Sequence, residues 1–483
     1  MTSGTSLTSG LGMIAGFKRL LVCCNPLHQQ PSRCPIDMIL RVSTSYLKMD
    51  YSLNCGRREH EVAREQQTIA LRVAERTLAL PVGRAMFTFG SVPTVTRDAS
   101  QIPKMEFSVR LQPFNALVAV DATKMNAEAK NWADFHNGVA TGLRISPSSK
   151  LVDSSWITFN KPGELTAQHA GFLFGLGLSG HLKNLMTWHT FSYLTPKHDL
   201  TSIGVLLGLS AANIGTANRH VTKLLAVHTP ALLPNPSVDL NVPMLTQAAG
   251  LVGIGLLYTG TKNRRMAEVA LHEISRTQVT SADQTTDHRE AYSLSAALSF
   301  GMIMLAAGVT RSSPADMNMV SRLRLLIHGE PILPGNKTNK QSFDATLTSA
   351  PATLALALMF LKTGRGDIAD ILTVPSTLLE LHYLQPSLLL VRTLGRALIM
   401  WDQIIATPQW VTDQLPKSAL EALEKRMLGK QIDESQELAY FNIVSGACFA
   451  MGLKYAGTAE EDPYSCLLHF HDLFTRISNQ NSE

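Results

Sequence analysis

Gly175-Leu176-Gly177-Leu178-Ser179-Gly180 has the spacing G-x-G-x-x-G, and Asp199 lies 19 residues beyond it. Glycines so spaced can let a backbone approach a pyrophosphate, and an acid about 20 residues on can bind a ribose hydroxyl. That chemistry needs a β-branched strand before the glycines. Thr166–Phe174 is a poor strand, and sister segments later in the chain break the pattern. The six residues therefore read as packing glycines, and an NAD-binding enzyme would rest on this motif alone. Ser179 and Ser210 lie among small residues, but neither sits in the G-x-S-x-G turn that exposes a nucleophile. His469 and His471, with Asp472, could suggest a metal, yet positions i and i+2 point to different faces of a helix. His189 and His228 fall on apolar stripes and read as packed histidines. Asp367 and Asp370 follow Gly364 and suit a helix start, where carboxylates complement the dipole.

The cysteines give no site either. Cys23, Cys24, Cys34, Cys55, Cys448 and Cys466 contain no C-x-x-C pair and are too few for a disulfide scaffold of this size. Reduced thiols are expected. Ser146-Pro147, Thr195-Pro196, Thr229-Pro230, Ser313-Pro314 and Thr407-Pro408 are minimal proline-directed phosphorylation sites, and such dipeptides also open helices and turns. No paired carboxylates, no Cys–His arrangement and no phosphate loop stand out. No catalytic, cofactor-binding or metal residue is assigned, and no cofactor is expected.

The net charge is 43 − 38 = +5 over 483 residues, too small a bias for a nucleic-acid binder. Aromatics are 6%, which argues against base-stacking platforms. Hydrophobic residues are 45%, so the chain can bury a large core and most of it is folded. Charged residues are 17%, below the usual quarter or so, which implies deep burial, partner surfaces or membrane. Six windows lack any Asp, Glu, Lys or Arg: 165–182, 200–218, 240–261, 291–310, 345–361 and 438–453. A multi-pass membrane protein is the obvious rival. The unbroken apolar runs inside them, 248–258 and 300–309, are too short for a bilayer, which needs about 20 such residues. Helices buried in a protein core are expected. Lys18 and Arg19 cut the apolar stretch near the N-terminus, so no signal peptide is expected.

The windows are variants of one pattern, as in HAGFLFGLGLSG, SIGVLLGLSAANIGT and AAGLVGIGLLYTGT. Small residues sit centrally at Gly175, Gly208, Gly253, Gly301, Ala357 and Ala450, with spacings of 33, 45, 48, 56 and 93. The last interval is wide enough for a degenerate unit, and LLLVRTLGRALIMWD around Gly395 is the candidate. Periods of 20–50 residues mark stacked repeats. Glycine inside a helix costs about 1 kcal/mol against alanine, so its recurrence points to close helix approach. The closing glycines Gly180, Gly215, Gly260, Gly308, Gly364 and Gly457 suit left-handed helix C-caps. Amphipathic stripes follow: Leu182, Leu185, Met186 and His189; then Val221, Leu224, Leu225 and His228; then Met266, Val269, Ala270 and Ile274. Arg264, Arg265, Glu268 and Glu273 are placed on the other faces of the third. Leu467, Phe470, Leu473, Phe474 and Ile477 form the last. Each unit thus reads as a buried helix, a glycine turn and a helix with one wet face.

These small-rich units resemble proteasome/cyclosome (PC) repeats. Longer strings resemble the largest-subunit family of the anaphase-promoting complex: FHNGVATGLRISP, LTSIGVLLGLSAANIGT, DHREAYSLSAALSFGM, ATLALALMFLKT and LLLVRTLGRALIMWD, with LALPVGRAMFTFGSVPTVTRDASQIPK ahead of them. The resemblance covers roughly residues 60–475 and implies a central segment of a longer protein. It implies an all-α fold, an α-solenoid of PC helical-hairpin repeats forming an arc of a toroid, preceded by a small irregular or β segment. Residues 1–50 are expected to be a disordered leader, 51–164 a connecting segment of short strands and loops, and 165–480 the repeat solenoid. The resemblance further implies a non-enzymatic scaffold in a ubiquitin ligase that controls mitosis. Its partners would be the cullin/RING catalytic module, the substrate co-receptor subunit and the TPR subunits, with no nucleic acid and no membrane. Nuclear and cytoplasmic localisation would follow. A proteasome regulatory-particle scaffold is the alternative within the repeat class. The uncharged run near the C-terminus leads to the expectation of an open arc with an apolar edge that self-associates.

Overall fold

Helical hairpins with small-residue inner helices build the chain, seen in a computed structural model that describes residues 39–41, 46–48, 58–90, 100–112, 116–233, 242–276, 286–309, 314–329, 343–421 and 433–480. Most of the expected leader, four of the cysteines, Ser313 and the connector 330–341 lie outside the described residues, but residues 39–41 and 46–48, inside the expected disordered leader, are paired strands. Two compact units divide the chain: residues 30–214 with 218–221, and 222–483 with 215–217.

In the first unit the helices are α1 (Glu59–Thr77), α2 (Leu80–Met86), α3 (Ala127–Arg144), α4 (Ser154–Phe159), α5 (Ala167–Leu178), α6 (Thr187–Leu194) and α7 (Asp199–Ala212). Five short strands accompany them: β1 (Ile39–Arg41), β2 (Tyr46–Lys48), β3 (Lys104–Glu106), β4 (Ser108–Gln112) and β5 (Ala116–Ala119). β1 pairs in parallel with β3, β2 in parallel with β4, and β4 antiparallel with β5 in the register Val109 to Val118. The alternating strings SVRLQ and LVAVD thus do form strands. The segment 51–164 nevertheless holds two long helices, α1 and α3, where strands and loops were expected. α3 is also an inner helix, stacked on α5, which is stacked in turn on α7. The stack begins well before residue 165. The signal was obscured because α3 buries polar side chains. Asn137 is fully buried, accepting from Arg84 and donating to the Pro103 carbonyl.

The remaining helices are α8 (Arg219–Val227), α9 (Met244–Leu257), α10 (Arg264–Ile274), α11 (Thr286–Ile303), α12 (Pro314–His328), α13 (Ala345–Met359), α14 (Gly366–Ala369), α15 (Leu378–Tyr383), α16 (Pro386–Ile399), α17 (Pro408–Thr412), α18 (Glu434–Tyr455) and α19 (Glu461–Gln480). The inner helices α9, α11, α13, α16 and α18 stack in that order, with α10, α12 and α19 packed outside them. All six central small residues of the sequence pattern are buried in inner helices, as is Gly395 of the degenerate unit in α16. The structure is an all-α solenoid of helical hairpins. No helix of the described residues is long and apolar enough to cross a membrane.

Short polar side chains start the helices. Asn126, Asp153, Thr166, Asn263, Asp344 and Asp433 each accept a first-turn backbone N–H. The stripe expected after Gly180 is not one helix. A 3₁₀ turn covers His181–Asn184, Leu185 is extended, and α6 starts at Thr187, leaving Leu182 buried and Met186 exposed. The other three stripes lie on α8, α10 and α19 as expected.

The inner helices meet backbone to backbone. A Cβ on Gly171 would sit 1.7 Å from the Phe135 carbonyl oxygen, and one on Gly138 would sit 1.9 Å from that of Gln168. A Cβ on Gly177 would fall 2.3 Å from the Cα of Gly208. Gly83 in α2 has open space at the same position. Gly171→Ala is expected to destabilise the chain by about 3 kcal/mol or more, since the obstacle is main chain and not a movable side chain. Gly83→Ala is expected to be neutral or to gain up to about 1 kcal/mol from helix propensity. Urea unfolding of the two variants checks this. Equal midpoints would refute the close-approach explanation.

Candidate functional site

The G-x-G-x-x-G residues lie inside and just after α5, and they pack helices. A Cβ on Gly175 would sit 2.5 Å from the Val139 carbonyl oxygen. Asp199 is the first residue of α7. Ser179 is the C-cap of α5, and Ser210 is buried with its hydroxyl donating to the Leu206 carbonyl at 2.7 Å. His469 and His471 are exposed on α19, and the described residues contain no cluster able to hold a metal. His228 donates Nδ1–H to the Leu224 carbonyl. Asp367 lies in the first turn of α14 and pairs with Arg365, while Asp370 pairs with Arg396. Burial pushes the Cys448 thiol up to about 12 and raises Cys466, so neither is a ready nucleophile; both are free.

The arrangement nearest to catalytic geometry went unseen in the sequence. Ser154 Oγ is 2.6 Å from His189 Nδ1, across 35 residues. The same Oγ accepts the Met186 N–H, and Ser154 is buried at the start of α4. No carboxylate of the described residues bonds the other His189 nitrogen. The pair ties α4 to α6 and presents no nucleophile to solvent.

What recurs is a junction between repeats. The turns after α9, α11 and α13, and residues 215–217 of the second unit, donate main-chain N–H groups to the last carbonyls of an inner helix. Gly215 and Ala217 donate to Leu256 and Leu257, each at 3.0 Å. Gly260 and Lys262 donate to Met302 and Ile303 at 2.9 and 3.1 Å, and Lys362 and Gly364 to Leu398 and Ile399 at 3.0 Å. Ala306 donates to Leu358 at 3.1 Å. The end of an α-helix leaves four carbonyls without intrahelical partners, and this ladder satisfies two of them. It needs positive φ at both donors: Gly215 has φ 70° and Ala217 51°, Gly260 70° and Lys262 55°. Non-glycine residues tolerate that region at a cost, so the four in the ladder, Ala217, Lys262, Ala306 and Lys362, mark a required geometry. Gly308 departs from the expected C-cap role. The positive φ falls on Ala306, and a Cβ on Gly308 would strike the Phe360 ring at 2.2 Å. At the last junction a side chain takes over, with Lys454 Nζ of α18 donating to the Ile404 carbonyl at 2.7 Å and to that of Asp402 at 3.4 Å.

Hydroxyls close the other end of two hairpins. Ser293 of α11 donates to the final carbonyl of α10, Ile274, and Thr348 and Ser349 of α13 donate to Leu326 and Ile327 near the end of α12. Glu273, expected on a wet face, is instead buried. Tyr292 donates a very short hydrogen bond to it, and Arg276 reaches Glu273, the Tyr292 hydroxyl and Gln247. Periodicity alone did not reveal this, because the partners come from three helices and a loop.

Under the α5–α6 junction, His169 is 4% exposed and stacks on Tyr193 at 5.8 Å and on Phe172 at 6.0 Å. Burial, helped by the charge of Lys161, lowers its pKa to about 4. A histidine neutral in the fold and basic when unfolded binds its proton preferentially in the unfolded chain between about pH 6.5 and pH 4. Stability therefore rises with pH across that window. The loss between pH 7 and pH 5 is expected to be on the order of 2 kcal/mol from this residue. His169→Gln should flatten the dependence; an unchanged slope in thermal melts would contradict the assignment.

Comparison with known proteins matches the division into units. A family model described as the APC1 fourth domain matches residues 36–214, and one described as the APC1 fifth domain matches 219–483. A protein of Emericella nidulans named "Negative regulator of mitosis" is 41% identical over 423 residues, covering 87% of this chain and 20% of its own length. Anaphase-promoting complex subunit 1 of Homo sapiens is 39% identical over 448 residues, covering 88% and 23%. The same subunit of Schizosaccharomyces pombe is 39% identical over 412 residues, covering 85% and 27%. The chain spans a fifth to about a quarter of the length of these relatives.

Proposed function

The chain belongs to the family of anaphase-promoting complex subunit 1, and from that membership we propose that it is a non-catalytic scaffold segment of that multisubunit ubiquitin ligase, acting in mitotic progression. The observation that carries the reading is the junction between repeats. Inner helices in main-chain contact, tied by turn N–H groups to the next helix end, resist the relative sliding that side-chain packing alone permits. A scaffold needs such rigidity to hold partners at fixed positions. The polar groups examined for chemistry are spent on caps and internal bonds: Ser210 on Leu206, Ser154 on His189 and Met186, Asp370 on Arg396. This supports a role by shape. The ubiquitin-transfer chemistry would belong to a cullin/RING module, and the chain would help hold that module, the substrate co-receptor and the TPR subunits in place. Nuclear and cytoplasmic localisation would follow from such a role. The matching family models favour this complex over the proteasome particle.

The test is affinity purification of the tagged chain from dividing cells, followed by mass spectrometry. Recovery of several subunits of the complex in a reproducible ratio is expected. Gly171→Ala, which disturbs the stack, should reduce it severalfold. Recovery with proteasome base subunits, or with no ligase subunit, would sink the reading.

A further inference from the structure

Arg392 on α16 is 6% exposed and has no ion pair among the described residues, and its Nε is buried without a hydrogen-bond partner. Buried guanidinium groups are ordinarily matched by an acid, and this chain does so elsewhere. Arg276 has Glu273, and even the exposed Arg396, one turn beyond Arg392, has Asp370 at 3.6 Å. Among the described residues no charge offsets the burial of Arg392, which lowers its pKa. Arg324 has the same sign, and burial favours the neutral form of His328. His328, at the end of α12, feels the charges of Arg392 and Arg324, and its Nε2–H is committed to the Ile371 carbonyl at 2.9 Å. Arg324 is exposed one turn earlier on the same face of α12. Asp370, the residue next to Ile371, is already occupied by Arg396.

We propose that Arg392, with Arg324 adding positive charge, is a receptor for one carboxylate carried by an acidic segment of a protein partner. Nε is buried without a partner, so a ligand would meet the residue at the end of its fork. That end presents two parallel donors in a plane, the match for a planar carboxylate. Little of the residue is open, which suits a flat group better than a tetrahedral phosphate. The proposal does not rest on which complex the chain enters.

The experiment is fluorescence anisotropy of a fluorescein-labelled hexaglutamate peptide titrated with the full chain. Binding is expected to weaken about tenfold in Arg392→Met, the loss of one bidentate charge-assisted pair, and severalfold in Arg324→Gln. Arg265→Gln, an exposed cation on α10, should leave it unchanged. Wild-type affinity in a folded Arg392→Met, or an equal loss in Arg265→Gln, would overturn the site. If Arg392→Met does not fold by circular dichroism, Arg392→Lys decides, because it keeps the charge and removes the fork; undiminished binding there overturns the proposal. A phosphoserine hexapeptide binding more than tenfold tighter than hexaglutamate would overturn the carboxylate assignment. Failure here leaves the co-purification test of the scaffold reading untouched.

Discussion

The approach of inner helices to main-chain contact is the constraint from which the other features follow. Helices whose side chains interdigitate ordinarily keep their axes 8–10 Å apart. Here glycine faces glycine or a bare carbonyl: Gly171 on Phe135, Gly177 on Gly208, Gly446 on Leu390. Each glycine weakens its own helix, and the dense contact between neighbours offsets that loss. The result is a set of helices that are strong only as a stack. It also explains why these helices are apolar on all sides, since an inner helix has inner neighbours on two faces and an outer helix on a third.

Close stacking creates a second problem, at the helix ends. Carbonyls at the end of a buried helix have no water to turn to, and leaving one unpaired costs more than an ordinary hydrogen bond returns. The turn ladder answers this with main chain, and Ser and Thr hydroxyls of α11 and α13 answer it at the ends of α10 and α12. Main-chain donors require the left-handed turn, so the geometry is held even where the residue is Lys262 or Lys362 and not glycine. Lys362 adds a cation–π contact, its Nζ lying 4.2 Å from the Trp401 ring centroid. Long side chains in these turns thus have work beyond charge.

The few buried ionisable groups divide by whether the fold gives them a partner. Glu273 and Arg276 are joined through Tyr292. His169 is kept neutral between aromatic rings. Among the described residues Arg392 is given no acid.

The repeat period, the buried inner helices and most of the outer stripes could be read from the sequence, because small-residue spacing and apolar run length act locally. The hidden unit at Gly395 was legible for the same reason. α3 was not, since Asn137 and Asp134 mimic a wet helix and are satisfied by Arg84, Pro103, Gln168 and Lys130. The 3₁₀ break after Gly180 was not legible either, because Leu182 fits both a helical stripe and an isolated anchor. Glycine at 177 is a fact of sequence, but that it meets Gly208 is a fact of packing. The pairing of Ser154 with His189, the burial of Glu273 and the missing partner of Arg392 were decided only when distant segments converged. A side chain's charge is fixed by its type, whereas its partner is fixed by the fold.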